Sequence, residues 1–127
     1  MSITLGSRSL SRLEGVHPDI VKMVKRAAAI SDMDFTVLEG LRTLERQKQL
    51  VAKGASKTMK SRHLTGHAVD LAVLIDGEVR WDWPLYHKLA KIVKQAAIDV
   101  EVSIEWGGDW RTFKDGPHWQ LPWGKYP

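Results

Sequence analysis

Apolar residues recur at helical spacing between positions 18 and 30, where Ile20, Met23, Val24, Ala27 and Ala28 form one stripe and Lys22, Lys25 and Arg26 lie away from it. Pro18 has the fixed φ that suits a first helical position, so the pattern predicts a helix from Pro18 to about Ile30. Phe35-Thr36-Val37-Leu38 is rich in strand formers and stops at Gly40, after which Thr43 can cap a second helix reaching about Ala52. The stretch from Lys53 to Arg62 is basic and aperiodic, which predicts an exposed loop. From His67 to Ile75 the pattern changes to alternation, with Val69, Leu71 and Val73 on one face of a strand and Ala68, Asp70 and Ala72 on the other. Asp76-Gly77 is a hairpin signal, and Glu78 to Trp81 is the returning strand. Pro84 opens a third helix to about Asp99, with Leu85, Leu89, Ile92, Val93 and Ala96 as its buried side. A strand from Val102 to Trp106, a Gly107-Gly108 turn and a short strand from His118 to Leu121 follow. The sum is an α+β domain, a small antiparallel sheet flanked by about three helices.

Composition narrows this picture. A chain of 127 residues with 43% hydrophobic positions is expected to close one core, residues 1–127, without a separate wall-binding module. There is no cysteine, so disulfides and thiolate zinc fingers are excluded and a tightly held metal must use His, Asp or Glu. The net charge of +4 allows attraction to a polyanion, nucleic acid or an anionic envelope, without choosing between them. The run from Met1 to Arg8 lacks the apolar core of a signal peptide, and no stretch of eighteen apolar residues exists. A soluble product made in the cytoplasm, and a monomer, are expected.

Among the five histidines, His63 and His118 combine with Asp70 into a coherent ligand set. Seven residues separate His63 from Asp70, about 10 Å on a helix and roughly 23 Å on a strand, so the two meet only if the chain folds back between them. Thr65-Gly66 supplies the reversal, since glycine accepts a positive φ. Two neutral imidazoles and one carboxylate leave a zinc ion an open position, the arrangement of a hydrolytic site. His17 precedes Pro18 and reads as a helix-start residue, and His87 lies near the exposed face of its helix. His67, three residues before Asp70, is a structural or solvent-facing residue or else a partner behind the ligands. Of the six tryptophans, Trp119 is assigned to the core because alternation places it opposite His118, whereas Trp106 and Trp110 either pack or wall a substrate groove. No Glu and Asp pairing suited to glycosidic cleavage is evident. A non-catalytic module or a nucleic-acid binder would have no use for this ligand set together with Asp115.

The segments around the ligands carry a resemblance. Ser61-Arg62-His63-Leu64-Thr65-Gly66-His67-Ala68-Val69-Asp70 resembles the Ser-x-His-x-x-Gly-x-Ala-x-Asp signature of the zinc D-alanyl-D-alanine carboxypeptidase family, and Asp115-Gly116-Pro117-His118-Trp119 its acid-x-x-His segment. The likeness is nearest to short phage endolysins that are L-alanyl-D-glutamate peptidases. It covers nearly the whole chain, because the segments Phe35 to Thr43 and Trp106 to Trp110 also look like parts of those enzymes.

The resemblance implies a Hedgehog/DD-peptidase-like fold, one zinc ion per chain on His63, Asp70 and His118, and Asp115 as the catalytic acid/base. It implies that Arg42 holds substrate or steadies the developing oxyanion and that Ser61 lines the site. It further implies a peptidoglycan endopeptidase of host lysis, waiting in the host cytoplasm until a holin opens the membrane, with no nucleic-acid partner. The alternative within the same chemistry is a D-alanyl-D-alanine carboxypeptidase or dipeptidase. Two departures stand out: much of the wider family has Glu where this chain has Asp115, and the short stretch from Trp110 to Asp115 offers no acidic cluster for a calcium site, so zinc alone is expected.

Overall fold

The computed structural model describes residues 2–56 and 58–127; Met1 of the N-terminal run and Lys57 of the basic loop lie outside the described residues. In chain order the elements are α1 (Ser7–Arg12), α2 (Pro18–Ile30), β1 (Phe35–Glu39), α3 (Leu44–Ala52), a 3₁₀ turn at Arg62–Thr65, β2 (Ala68–Ile75), β3 (Glu78–Arg80), α4 (Trp83–Asp99), β4 (Glu105–Trp106), a 3₁₀ turn at Gly107–Asp109 and β5 (His118–Gln120). The α+β expectation holds, with one helix more than the three foreseen. α1 escapes the pattern because Ser-Arg-Ser-Leu-Ser-Arg is short and polar; its Ser9 is buried, sharing a hydrogen bond with Thr36 and accepting one from the Val37 amide.

Helix starts follow local chemistry. The His17 ring accepts from the Asp19 amide through Nδ1 at 3.0 Å, so it caps α2 as expected. Thr43 caps α3 by accepting from the Arg46 amide at 3.1 Å. On α2 all five predicted stripe residues are buried. On α4 the buried face is turned relative to expectation: Leu89, Val93 and Ala96 are buried with Tyr86, Ala90 and Ala97, while Leu85 and Ile92 are only partly buried against the core. Tyr86 fixes that rotation, its hydroxyl accepting from the Val73 amide at 3.1 Å and donating to the Arg80 carbonyl at 2.7 Å.

The sheet is antiparallel in every pairing, in the order β1, β2, β5, β4, with β3 returning along β2 through the Asp76-Gly77 turn. Its core face carries Val69, Leu71, Val73 and Trp119 under the packed pair α2 and α4. Trp119 is opposite Val69 on one side and Trp106 on the other, and the two indoles stack with centroids 5.8 Å apart. The expected strand from Val102 shortens to Glu105–Trp106, because Glu101 takes a positive φ and the Val102 amide closes the end of α4 on the Ala97 carbonyl.

Candidate metal centre

Sheet register assembles most of the site. Asp70 on β2 is the direct partner of His118 on β5, and on its other side of Glu39 on β1, so one row across three strands carries an acid, an acid and an imidazole. Direct partners in an antiparallel pair project to the same face with side chains about 5 Å apart. His63 enters from the 3₁₀ turn, which ends at Gly66 in the left-handed region with φ 75. A side chain at Gly66 would overlap the Gly15 carbonyl, so the reversal foreseen at Thr65-Gly66 also depends on a close backbone approach.

The ligand atoms of His63, Asp70 and His118 lie within 4.8 Å of one another. His63 Nε2 is 3.2 Å and His118 Nδ1 3.1 Å from Asp70 Oδ1. Each ring's second nitrogen is committed elsewhere. His63 Nδ1 faces the Gly40 carbonyl at 2.8 Å, which can only accept, so that nitrogen carries the proton. Gln120 Nε2 donates to Glu105 Oε2 at 3.2 Å, which turns its amide oxygen toward His118 Nε2 at 2.8 Å and makes that nitrogen the donor. In the neutral rings this leaves Nε2 of His63 and Nδ1 of His118 with lone pairs on the side of Asp70, whereas in the protonated rings the same two nitrogens donate to its carboxylate. Nitrogen and oxygen lone pairs converging on one point, with tautomers fixed from behind, fit a divalent cation.

With the rings protonated, the electrostatics centre on Asp70. Burial alone would push the Asp70 carboxyl up, but the hydrogen bonds of His118 and His63 outweigh it and hold the group well below the usual carboxylate range. Burial works against a charged His118, yet Asp70, Gln120 and Asp115 together raise its pKa. Asp115 is pushed up, first by burial and then by the charge of Asp70, with His118, His63 and Arg42 pulling the other way.

A cavity of about 650 Å³ opens on this centre and is also lined by Asp115, Ser61 and Trp110. The backbone brings Asp115 there: its amide donates to the Gly107 carbonyl and its carbonyl accepts from the His118 amide. Ser61 caps the 3₁₀ turn by accepting from the His63 amide at 3.2 Å. The Trp110 ring lies 5.2 Å from that of His118. Arg42 reaches the cavity, but its donors are engaged: Nε and Nη2 form a fork on Glu39, both at 2.7 Å, and Nη1 donates to Gln47 at 2.8 Å.

Two expectations need correction. Trp106 is 4% exposed and does not line the cavity; it shares the core face with Trp119, its cross-strand partner, and donates to the Gly116 carbonyl at 2.7 Å, so it is not a groove wall. Arg62 belongs to no exposed loop: it is buried, donating to the Leu121 and Tyr126 carbonyls with the Trp123 ring 3.9 Å away. His67 bonds Thr65 and packs near His17 rather than meeting Asp70. Sequence reasoning missed Glu39, Gln47, Glu105 and Gln120. Gln120 had a signal, since it stands two residues after His118 on one strand and so on the same face.

Comparison with known proteins gives the family. The profile of the phage L-alanyl-D-glutamate peptidase family matches residues 1–120. The L-alanyl-D-glutamate peptidase of Escherichia phage T5 is 34% identical over 119 residues, covering 91% of this chain and 87% of that protein. That of Listeria phage A118 is 37% identical over 94% of this chain, which spans only 43% of the Listeria phage protein. The crystal structure of the Serratia marcescens L-Ala D-Glu endopeptidase ChiX superimposes with a TM-score of 0.90 at 47% identity, covering 95% of this chain and 91% of that one. The chain belongs to the phage L-alanyl-D-glutamate peptidase family.

Proposed function

We propose that this protein is a zinc-dependent peptidoglycan endopeptidase that hydrolyses the bond between L-alanine and D-glutamate in the stem peptide, and that it serves phage-mediated lysis of the host. The observation that carries the reading is the convergence of three ligand atoms within 4.8 Å in a cavity that also presents Asp115. Family membership names the bond: the relatives from phage T5, phage A118 and Serratia bear names for that cleavage.

A zinc ion on His63 Nε2, Asp70 and His118 Nδ1 would polarise the scissile carbonyl and bring the pKa of water from about 15.7 toward about 7. The Asp115 carboxylate takes the proton from the attacking water and returns it to the nitrogen of the leaving amine. Its raised pKa suits both duties, since an ordinary carboxylate is a weaker base and holds the proton less well. Arg42 acts mainly as a frame, holding the cavity-lining Glu39 and Ser61 together with the buried Gln47; through its charge it also favours the ionised form of Asp115. Ser61 and Trp110 both line the groove.

No helix among the described residues is long and apolar enough to cross a membrane. In the lysis reading, carried by the family resemblance, synthesis takes place in the host cytoplasm and a separate membrane-opening protein gives access to the wall. Digestion of purified peptidoglycan tests the function. New amino termini on D-glutamate, abolished by chelator and restored by zinc, support it; release of free D-alanine without D-glutamyl termini would mark a D-alanyl-D-alanine carboxypeptidase instead.

A further inference from the structure

Beside the metal centre lies a second recess of about 300 Å³, lined by Trp81, Trp83, Tyr86, Lys114, Asp115 and the Gly116-Pro117 backbone. Lys114 and Asp115 also line the larger cavity, so the two spaces adjoin across the loop that carries the proposed base. The recess is built from large apolar rings left open to solvent: Trp81 is 57% and Trp83 43% exposed. Both are held in place. The Trp81 ring lies parallel to that of Tyr86, with centroids 6.2 Å apart and 6° between planes, and Tyr86 is clamped between β2 and Arg80 by its two hydrogen bonds. The ion pair of Arg80 and Asp82 at 2.8 Å brackets Trp81 on either side in sequence, and the Trp83 ring rests against His87 at 5.8 Å. Gly116 admits the rings closely, since a Cβ there would stand 3.3 Å from Tyr86 Cγ and 3.4 Å from Trp83 Cζ3. Neither the ligand set nor Asp115 needs exposed indoles at this position.

Fixed, exposed indoles beside an ammonium group suit a pyranose. The C–H face of a sugar ring would lie on the π surface, while its hydroxyl and acetamido oxygens would accept from Lys114. Given the cleavage proposed above, on which this inference rests, the substrate offers such a ring one residue from the scissile carbonyl, because the stem's L-alanine is joined through a lactyl ether to an N-acetylated sugar of the glycan strand. We infer that the recess formed by Trp81, Trp83 and Lys114 is a saccharide subsite for that sugar. The enzyme then acts preferentially on stems still attached to glycan.

Two readouts separate this inference from the cleavage on which it rests: calorimetric binding of the peptide-free disaccharide N-acetylglucosaminyl-N-acetylmuramic acid, and kcat/KM on a stem tetrapeptide with and without that disaccharide attached. Wild type is expected to bind the disaccharide and to favour the sugar-bearing substrate by about tenfold, the scale of one good aromatic contact. Trp81→Ala and Trp83→Ala should abolish both effects and leave cleavage of the free tetrapeptide unchanged, while Trp81→Phe, which keeps a ring, retains most of the preference. Equal rates on the two substrates, equal losses on both in the alanine variants, or no disaccharide binding would overturn the subsite even if the stem is cut. Disaccharide binding lost in Trp81→Ala upholds it even if neither stem is cut, a result that would refute the cleavage instead.

Discussion

Gln120 shows how much of the proposed metal chemistry depends on a residue that touches no metal. Its amide, oriented by Glu105, decides which nitrogen of His118 carries the proton. Gln120→Ala removes that control, and zinc affinity should fall about 10- to 100-fold in a competitive chelator titration. Asp115 gives the opposite result: Asp115→Asn should retain zinc yet lower kcat by about 10²- to 10⁴-fold, the range for loss of a general base. Because burial and Asp70 raise the Asp115 pKa, the base form accumulates at higher pH than for an unperturbed aspartate. The acid limb of kcat/KM should therefore lie at higher pH than for a free aspartate, with activity rising as pH rises through it. Sequence made His63, Asp70 and His118 legible as a set chiefly through the segments around them, which resemble a family signature; residue types alone are a weak guide to a ligand set. It left Glu39 and Arg42 unpaired, since a fork between residues three apart across the end of a strand depends on the irregular register between Val37 and Glu39.

Elements explain why the site residues arrive where they do. The row of Glu39, Asp70 and His118 is a product of strand register, and pairing across residues 48 apart in sequence is set by tertiary packing. Periodicity could therefore find β2 and β5 without finding their alignment. Helix α2 was readable from its stripe and proline, whereas α4 turned toward Tyr86, whose ring joins the buried stripe of Leu89, Ala90, Val93, Ala96 and Ala97 and whose hydroxyl bridges β2 and Arg80. The turn at Gly107 is the tightest point behind Asp115: a Cβ there would overlap the Asp115 carbonyl and crowd His118 Cβ at 3.1 Å. Gly107→Ala is expected to displace the Asp115 loop and lower kcat by more than tenfold, a scale consistent with the sensitivity of catalysis to misplacements of about 1 Å. Circular dichroism should stay near wild type, which would separate displacement from unfolding.

The whole molecule divides across its sheet, with an apolar face under α2 and α4 and a polar face that carries the candidate metal centre. Trp119 is the largest fully buried side chain and lies next in sequence to His118. Trp119→Ala should cost about 3–5 kcal/mol in denaturant unfolding and weaken zinc binding as a consequence. The C-terminal segment is tied to the same structure through Arg62, which explains why a basic residue in a basic stretch is buried. The central claim, one divalent ion shared by His63, Asp70 and His118, is tested most directly by metal analysis of the purified protein and of Asp70→Ala. The account predicts one equivalent of zinc per chain in the first and none in the second, with both proteins folded. Full zinc occupancy in Asp70→Ala, or an active wild-type enzyme free of metal, would contradict it.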